Sequence, residues 1–362
     1  MATSVQSVLK NIPEVIRQVP SKIALHIALI LMSSERKNYA SMARANGISY
    51  GKVYIKSDDA AEEFTAVCAE FLQSLIKYIA AETDKGYLII DFTVLLKRFA
   101  ECIPNVTYDY DGVSKRVEKG LSLALVVWSN GTITIPFNID FWLKKKDAGE
   151  LYRKKTEIAQ QLVLLAIKHG IPVKEVRLDG AFASVEMMLF LIKHKIDFTM
   201  RIHNNRVVVS AQGKHKLSEQ PKLKMKRNEK FKTIRASYKG IKKLYFTAHK
   251  RKCKNDESEV VYIVSTVKRK PKDHVKAYSQ RWPVEKKIRT SKQHLGATHC
   301  QSMSKAKQKF HIFSVMVSYA ILQLAKIDKR KKSVEEILHL IRRQKQYNVI
   351  SRYIDLERTF VT

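Results

Sequence analysis

Apolar residues recur at helical spacing over the first 82 residues of the 362-residue chain. The pattern is clearest in residues 22–32 and 60–82, and it predicts two helices. The apolar run 23–32 is too short to span a bilayer, so we expect it to be a core helix. Residues 1–82 are therefore predicted to form a helical region.

Residues 37–56, between those two helices, carry a turn signal. A short helix ending at Gly47 and a second beginning near Ser49 resemble a helix-turn-helix, with Ser49 as a candidate cap. An ordinary helical hairpin is the alternative interpretation. If the segment reads DNA, the side chains expected to face it are Arg44, Tyr50, Lys52 and Tyr54.

The spacing of apolar residues changes after residue 86, from a helical period to nearly continuous apolar runs. Residues 87–95 predict a buried strand, and 121–142 predict a hairpin turning at Ser129-Asn130-Gly131. The next predicted elements are helix 148–170 stopped by Gly170, strand 173–182, helix 184–195 and strand 196–202. Three strands followed by helix, strand, helix and strand predict an α/β domain with a mixed sheet.

Residues 206–267 break this alternation with several strand-like runs. Residues 214–272 contain 20 Lys and Arg against 5 Asp and Glu, which favours a basic β-rich insertion that contacts nucleic acid over a solvated β arm. Helices return near the end, where Ser333 and Glu336 form a capping-box pattern. The predicted organisation is a main domain of 83–205 and 268–327, the insertion 206–267, and helices in 309–327 and in a tail, 328–362.

The charge of the chain narrows the choice of partner. Its net charge is +33, and a 45% hydrophobic content is enough for a core. Such an excess favours a polyanion, DNA or RNA, over a merely basic surface. No secretory signal is evident, and we expect a cytoplasmic protein. Neither a zinc ribbon nor a redox motif is predicted, because no C-x-x-C pair is formed by Cys68, Cys102, Cys253 or Cys300. A disulfide framework is not expected in a chain of this size.

Three acids occupy positions where a charged side chain is unusual. Asp91 lies inside the first apolar strand, Asp179 ends the strand "EVRLD" within 173–182, and Glu285 lies in a basic segment far downstream. A carboxylate is rarely buried in a strand unless it is paired or binds a metal, and ligand sites of open α/β sheets gather beyond strand ends. Carboxylates that meet there suit Mg²⁺. A hydrogen-bonded structural role is the alternative for each Asp.

The segment 278–292 surrounds Glu285 with lysines and arginines. On one helix, a shared arc of about 60° would hold Tyr278, Arg281, Glu285 and Lys292. Because Pro283 is poor in a helix interior, we expect the helix to begin near Trp282, with Tyr278 and Arg281 on a preceding turn. Cations and a phenol suit phosphate, and the carboxylate suits a metal ion.

The pattern Y-x2-R-x3-E-x6-K resembles the signature of DDE transposases of the insertion-sequence four group. It is matched without a gap by Tyr278, Arg281, Glu285 and Lys292. Asp91 in "LIIDFT" and Asp179 in "VRLDGAF" resemble the two Asp residues of that family. The resemblance covers roughly residues 85–325. It implies an α/β fold with a ribonuclease-H-like mixed sheet flanked by helices, a β-rich insertion and an N-terminal helical DNA-binding region.

This resemblance implies a cut-and-paste DNA transposase with Asp91, Asp179 and Glu285 as catalytic residues and metal ligands. They would hold two Mg²⁺ ions, for which Mn²⁺ can substitute. Water nicks each element end, the freed 3′-OH forms a hairpin that a second water reopens, and the 3′-OH then joins target DNA.

The implied partners are double-stranded DNA, as terminal inverted repeats and as target, and a second copy of the chain in a synapse. No membrane and no small-molecule cofactor are implied. The implied location is the cytoplasm of a bacterium or archaeon, at the nucleoid. In related enzymes a flipped base stacks on an aromatic side chain. The candidates here are Trp282, Trp142 and Tyr262, with core packing as the alternative for each.

Other functions fit parts of the same pattern. A DNA nuclease without transposition activity, or an inactive descendant that only binds DNA, would keep the basic surface. A sequence-specific DNA-binding regulator would need no cluster of Asp91, Asp179 and Glu285. An RNA-binding or ribosome-associated protein would be explained by charge alone.

Overall fold

The computed structural model describes residues 20–83, 86–252, 258–328 and 332–344. The N-terminal part of the predicted helical region and the end of the predicted tail lie outside these residues. The helices are α1 (Ser21–Met32), α2 (Tyr39–Ala45), α3 (Tyr50–Val53), α4 (Asp58–Thr83), α5 (Lys145–Ala148), α6 (Lys155–Lys168), α7 (Val185–Lys193), α8 (Pro271–Ser279), α9 (Trp282–Gln293), α10 (Lys305–Asp328) and α11 (Val334–Gln344).

The strands alternate with these helices in the middle of the chain and follow one another in the insertion. They are β1 (Tyr87–Leu96), β2 (Val106–Asp111), β3 (Arg116–Ser129), β4 (Thr134–Phe141), β5 (Glu175–Leu178), β6 (Asp197–Ile202), β7 (Val207–Ser210), β8 (Gly213–Lys216), β9 (Phe231–Tyr238), β10 (Ile241–Lys252) and β11 (Ser258–Ser265). Short 3-10 turns occupy Gly149–Leu151, Gly180–Phe182 and Pro221–Leu223.

One mixed sheet joins the two halves of the chain. Its strand order is β2–β3–β1–β5–β6–β11–β10–β9–β7–β8, and β4 pairs with β3 beside β2. Strand β5 is parallel to β1 and β6, whereas β3 is antiparallel to β1, β2 and β4. Helix α6 connects β4 to β5, and helix α7 connects β5 to β6. Parallel strands such as β5 and β6 require a crossover of this kind. This mixed sheet flanked by helices is consistent with a ribonuclease-H-like fold.

The helix α10 lies at the centre of the helical layer. Helices α1, α4 and α11 pack against it, and it contacts β4. By length and composition alone, Asp58–Ala81 and Lys305–Ile327 could cross a membrane. However, 89% of the apolar window in Lys305–Ile327 is buried inside the fold, as in the core helix of a soluble protein. The apolar run 23–32 is also buried, which confirms the predicted core helix.

Several local predictions are confirmed. The hairpin turns where expected: the Asn130 side chain accepts hydrogen bonds from the backbone N–H groups of Thr132 and Ile133, and Gly131 has a φ of 96°. A side chain at that φ would be strained, which explains the glycine. The capping box before α11 is also present, because Ser333 N donates to Glu336 and Glu336 N donates to the Ser333 hydroxyl.

Other local predictions are wrong. The helix predicted from residue 148 begins at Lys155. A 3-10 turn occupies Gly149–Leu151, Tyr152 and Lys154 are extended, and Arg153 between them donates two hydrogen bonds to Asp140. Strand β2 was not predicted, since it presents exposed tyrosines rather than an apolar run. Ser49 occupies the N-cap position of α3, but its side chain makes no capping hydrogen bond.

The predicted β-rich insertion is joined to the main domain through the sheet, unlike the alternative of a solvated β arm. Its last strand, β11, pairs antiparallel with β6, from Tyr262 opposite Ile202 to Ser265 opposite Thr199. The insertion therefore extends the central sheet. Helix α8 packs across β6, β9, β10 and β11, and it ties the insertion to the segment that follows.

Candidate active site on strand β1 beside the end of strand β5

The sheet brings two of the predicted acids side by side. Ile90 of β1 is in register with Leu178 of β5, and the two strands are parallel. Asp91 and Asp179 are the next residues on each strand, so adjacent strands deliver both carboxyl groups to the same level. The backbone N–H of Phe92 donates a 2.9 Å hydrogen bond to Asp91 Oδ1 and fixes that carboxyl group.

The third acid arrives on α9, which packs against β1. As predicted, α9 begins at Trp282 with Pro283 in its first turn, while Tyr278 lies on α8 and Arg281 is the N-cap residue of α9. The proline needs no N–H at this position, and it separates the two helices. The motif is therefore presented by a corner between two helices.

Two residues of this corner, Tyr278 and Arg281, between them contact all three acids. The Tyr278 hydroxyl donates a 2.9 Å hydrogen bond to Asp179 Oδ1. The Arg281 guanidinium forms ion pairs through Nη1 with Asp91 Oδ2 at 3.3 Å and through Nη2 with Glu285 Oε1 at 2.5 Å. Asp91, Asp179 and Glu285 thus belong to one connected network, which includes the first three motif residues.

Burial and charge shape the acidity of this network. Burial raises the pKa of Asp91 to about 6; Arg281 and the Phe92 N–H oppose that rise, while Asp179 and Glu285 add to it. Burial, followed by the negative charge of Asp179, raises the pKa of Tyr278 to about 12. Burial alone would lower the pKa of Arg281, but Tyr278 and the three carboxylates outweigh that effect, so this pKa is raised.

The donor set of this site is that of a hard divalent cation. Three carboxylates supply the oxygen ligands that such ions prefer, and the mutual repulsion of the carboxylates is what a cation relieves. Here Arg281 provides the positive charge between Asp91 and Glu285. Within the described residues, no group of three Asp, Glu, His or Cys side chains is spaced to hold a metal ion.

Lys292, the last motif residue, contacts a different acid. Its Nζ lies 3.5 Å from Oδ1 of Asp111, at the end of β2, and 16% of the Lys292 side chain is exposed. Burial lowers the pKa of Lys292, and Asp111 opposes that effect. Lys292 therefore anchors the C-terminal end of α9 to the β2–β3 hairpin.

The three aromatic candidates for base stacking differ in exposure. Trp282 is 57% exposed beside the corner, and Tyr262 is buried in the sheet, which favours core packing. Trp142 is partly buried, and Lys155 Nζ lies 4.4 Å from the centroid of its ring. Among the three, only Trp282 presents a largely open face.

The N-terminal candidates lie on two short helices. Arg44 and Lys52 are exposed, whereas Tyr50 and Tyr54 stack on each other with ring centroids 5.2 Å apart. Helix α2 is followed by Gly47 at a φ of 64°, which matches the predicted helix end. Helix α3 is a single turn, however, and a single turn is shorter than the recognition helix that lies along a DNA groove.

A second charged network, which sequence reasoning missed, lies beneath the corner. Glu175 of β5 is buried and bonded by Arg177, Arg269 and Thr199. Arg177 Nη1 also donates a 2.7 Å hydrogen bond to Gln280, between Tyr278 and Arg281. Burial opposes ionisation of Glu175, yet the two arginines lower its pKa. The sequence did contain one signal of this network, which is the presence of two charged residues, Glu175 and Arg177, on the short strand just before Asp179.

Comparison with known proteins identifies the class of molecule that carries this site. Residues 152–321 match the family model described as Transposase DDE domain, and residues 22–236, more than half of the chain, match the one described as DDE superfamily endonuclease. Asp179 falls within both matches, Asp91 within the second and Glu285 within the first. No curated protein matches the chain.

The chain belongs to the DDE superfamily of transposases and endonucleases. It is an enzyme of the transposase type, a DNA endonuclease and strand transferase. DNA is therefore its substrate, and enzymes of this superfamily generally use divalent metal ions.

Proposed function

We propose that the protein is a cut-and-paste transposase of the insertion-sequence four group, with Asp91, Asp179 and Glu285 as its catalytic carboxylates. One observation carries this proposal: Tyr278 and Arg281 bond to all three acids. Those two residues belong to the motif that resembles the group's signature. The spacing of these motif residues thus corresponds to one compact arrangement around the middle of β1 and the end of β5.

The three carboxylates would hold two divalent ions, Mg²⁺ or in its place Mn²⁺. When bound, such ions supply positive charge to the attacking and leaving oxygens of an in-line phosphoryl transfer. Asp91 and Asp179 provide ligands from a rigid sheet, and Glu285 provides one from α9.

Arg281 and Tyr278 have a second task in this mechanism. The guanidinium of Arg281 would bind a phosphate oxygen of the DNA with its fork of donors in the metal-loaded enzyme. The Tyr278 hydroxyl keeps the Asp179 carboxylate oriented. Trp282, exposed at the same corner, offers a face on which a base next to the cut can stack.

The DNA substrates proposed are the terminal inverted repeats of the element and the target site. Repeated transfers at one site, first to water and then to a 3′-OH, would give nicking, hairpin formation, hairpin opening and joining. Two ends must be cut together, so we propose a homodimer in the synaptic complex. The enzyme would work in the cytoplasm, at the nucleoid.

The decisive experiment compares acid variants on DNA that carries the borders of the element. In Glu285→Ala, Asp91→Asn and Asp179→Asn, Mn²⁺-dependent nicking should fall by roughly a thousandfold or more, since each removes a catalytic ligand. Binding of the same DNA should change by no more than about threefold, because phosphate contacts made elsewhere dominate affinity. Glu186→Gln, an exposed acid on α7, is the matched control and should behave as wild type.

The outcomes separate the competing functions. Wild-type protein that nicks but never joins a 3′-OH to target DNA would be a nuclease. Protein that binds the borders but leaves them uncut with both Mg²⁺ and Mn²⁺ would be a DNA-binding regulator. Either result contradicts the proposal.

A further inference from the structure

A cavity of about 530 Å³ lies between the N-terminal helices and the segment that leads into α10. One side is formed by Tyr39, Tyr50 and Tyr54, and the other by residues 301–304 and Lys307. Its volume is in the range of small-molecule sites. It shares no lining residue with the carboxylate site. We call it the tyrosine pocket.

The wall of the tyrosine pocket is built from three rings in fixed orientations. Tyr50 and Tyr54 are stacked with an interplanar angle of 19°, and Tyr39 meets Tyr54 edge-on at 85°. Lys307, from the other side of the pocket, fixes Tyr54, because its Nζ donates a 3.0 Å hydrogen bond to the Tyr54 hydroxyl. Tyr50 is 48% exposed, and Met303 across the pocket is 68% exposed. Two open, polarisable side chains thus line the entrance.

The pocket also contains a polar group without a partner. The Tyr39 side chain is 9% exposed, and its hydroxyl is buried without a hydrogen bond to any described residue. A buried hydroxyl in that condition costs free energy unless something else satisfies it. Burial raises the pKa of Tyr39 far above its usual range, so the hydroxyl stays protonated and can donate. A bound molecule with a hydrogen-bonding edge would satisfy it.

We propose that the tyrosine pocket binds a single unstacked nucleobase of DNA. The inference rests on DNA being the partner of this enzyme. A base offers a flat face for Tyr50 and a polar edge for Tyr39 and for Asp58, which also lines the pocket. The short helices α2 and α3 would then engage DNA through this pocket, in place of a recognition helix.

The experiment measures binding of two fluorescent probes by anisotropy. One is a single-stranded oligonucleotide of mixed sequence and roughly 20 nucleotides, and the other is an abasic oligomer of the same length and charge. Tyr50→Leu should weaken binding of the base-bearing probe by about 5- to 100-fold, the usual effect of losing one stacking aromatic. Binding of the abasic probe should stay within about twofold, because its phosphate contacts are unchanged.

Tyr108→Leu is the matched control. Tyr108 lies on β2, does not line the tyrosine pocket, and is 47% exposed, nearly the same as Tyr50. It should leave both probes unaffected. Equal loss of both probes in Tyr50→Leu would overturn the proposal, and so would no loss of either.

Tyr39→Phe tests the pocket without disturbing its packing. Since the hydroxyl bonds to no described residue, removing it should not lower the melting temperature. It should weaken the base-bearing probe by about 3- to 10-fold, the value of one hydrogen bond. A lower melting temperature with unchanged probe binding would show that the hydroxyl is structural, and would contradict the proposal.

Two further measurements fix the source of the base and separate this inference from the proposed function. Deoxynucleoside monophosphate at millimolar concentration should compete only weakly if the natural ligand is a base within a DNA strand; strong competition would point to a free nucleotide and would overturn the DNA assignment. The binding assay needs neither metal nor Glu285. Protein that nicks element ends normally but is insensitive to Tyr50→Leu would reject the pocket alone.

Discussion

Arg281 decides the charge balance of the active site. Its guanidinium contacts two carboxylates and is about nine-tenths buried. A lysine has one ammonium and cannot hold Asp91 and Glu285 in a fixed fork. The side chain therefore serves as the counter-ion of the acids in this structure, and as a phosphate ligand in the proposed mechanism.

Arg281→Lys should lower strand transfer by about tenfold or more while DNA affinity changes by no more than about twofold, because the geometry of one site is lost but overall charge is kept. Gel assays of strand transfer and of binding on the same DNA would measure both. Arg289→Lys, an exposed position on the same helix, is the control and should change neither. Unchanged strand transfer by Arg281→Lys would contradict the role assigned to Arg281 in the active site.

Lys292 offers a choice between DNA contact and support of the fold. Lys292→Met leaves Asp111, which is 5% exposed, without its cation, and should lower the free energy of unfolding by about 3 kcal/mol. Adding Asp111→Asn should recover most of that stability. If strand transfer also recovers in the double variant, Lys292 acts through the fold. If transfer stays low while stability returns, Lys292 contacts DNA.

At the level of elements, the corner between α8 and α9 depends on the buried ion network behind it. Gln280 links the corner to Arg177, which bonds Glu175 on the strand that ends in Asp179. The corner and the strand are therefore positioned by the same side chains. A change in this network should move catalysis without touching substrate.

Arg177→Leu should lower the free energy of unfolding by about 3 kcal/mol, because one partner of a buried charge network is removed. Urea unfolding measures this effect. Arg201→Leu on the neighbouring strand β6 is the control; its side chain is 40% exposed in an ion pair with Glu259, so the cost should stay below about 1 kcal/mol. Equal losses in the two variants would contradict a special role for Arg177.

The helical layer around α10 contains histidines that resist protonation. Burial lowers the pKa of His26 well below its usual value and those of His299 and His311 to about 4. In the unfolded chain these rings bind protons near pH 6.5, whereas in the folded protein they do not. Between about pH 6.5 and 4 the unfolded state binds more protons, so stability falls as the pH falls.

The melting temperature should be lower at about pH 5 than at about pH 7, and His26→Leu should reduce that difference. Both ring nitrogens of His26 are buried without a bond to any described residue, so leucine also removes an unsatisfied polar group and should not lower stability at neutral pH. A variant with an unchanged acid profile would show that other groups control the transition.

On the scale of the whole molecule, charge decides how DNA is bound. The net charge of +33 includes a dense group of cations in the insertion, which the sheet joins rigidly to the catalytic half. DNA bound along the insertion would therefore be held at a fixed distance from the carboxylates. Its affinity should depend strongly on salt.

The logarithm of affinity should fall with the logarithm of salt concentration at a slope steeper than about −5, as expected for six or more phosphate contacts. Replacing Lys222 and Lys226 of the insertion with serine should make the slope shallower by about two. The control removes equal charge from exposed positions on α6 and α7, Lys168 and Lys193, and should leave the slope nearly unchanged. Equal effects in both pairs would mean that binding follows net charge alone.

Much of this architecture could be predicted from the sequence, because its signals are local. The apolar run with Asp91 gave β1, Gly131 and Gly170 gave a turn and a helix end, and Pro283 gave the start of α9. The union of the insertion with the main sheet could not be predicted, because pairing between β6 and β11 joins residues about sixty apart and leaves no local pattern. The contact between Lys292 and Asp111 could not be predicted either. Asp111 lies on β2, and the exposed tyrosines of β2 leave that strand without an apolar run that would predict it.

The central position of α10 has a consequence for how the protein is made. Helices α1 and α4 are synthesised early, yet the surface that buries them is supplied by Lys305–Asp328, near the end of the chain. The ribosome must therefore translate most of the message before the apolar faces of α1 and α4 can be buried. Copies cut short by a stop codon or frameshift upstream of residue 305 would be left for chaperones and proteases, and would not compete with intact enzyme for DNA ends.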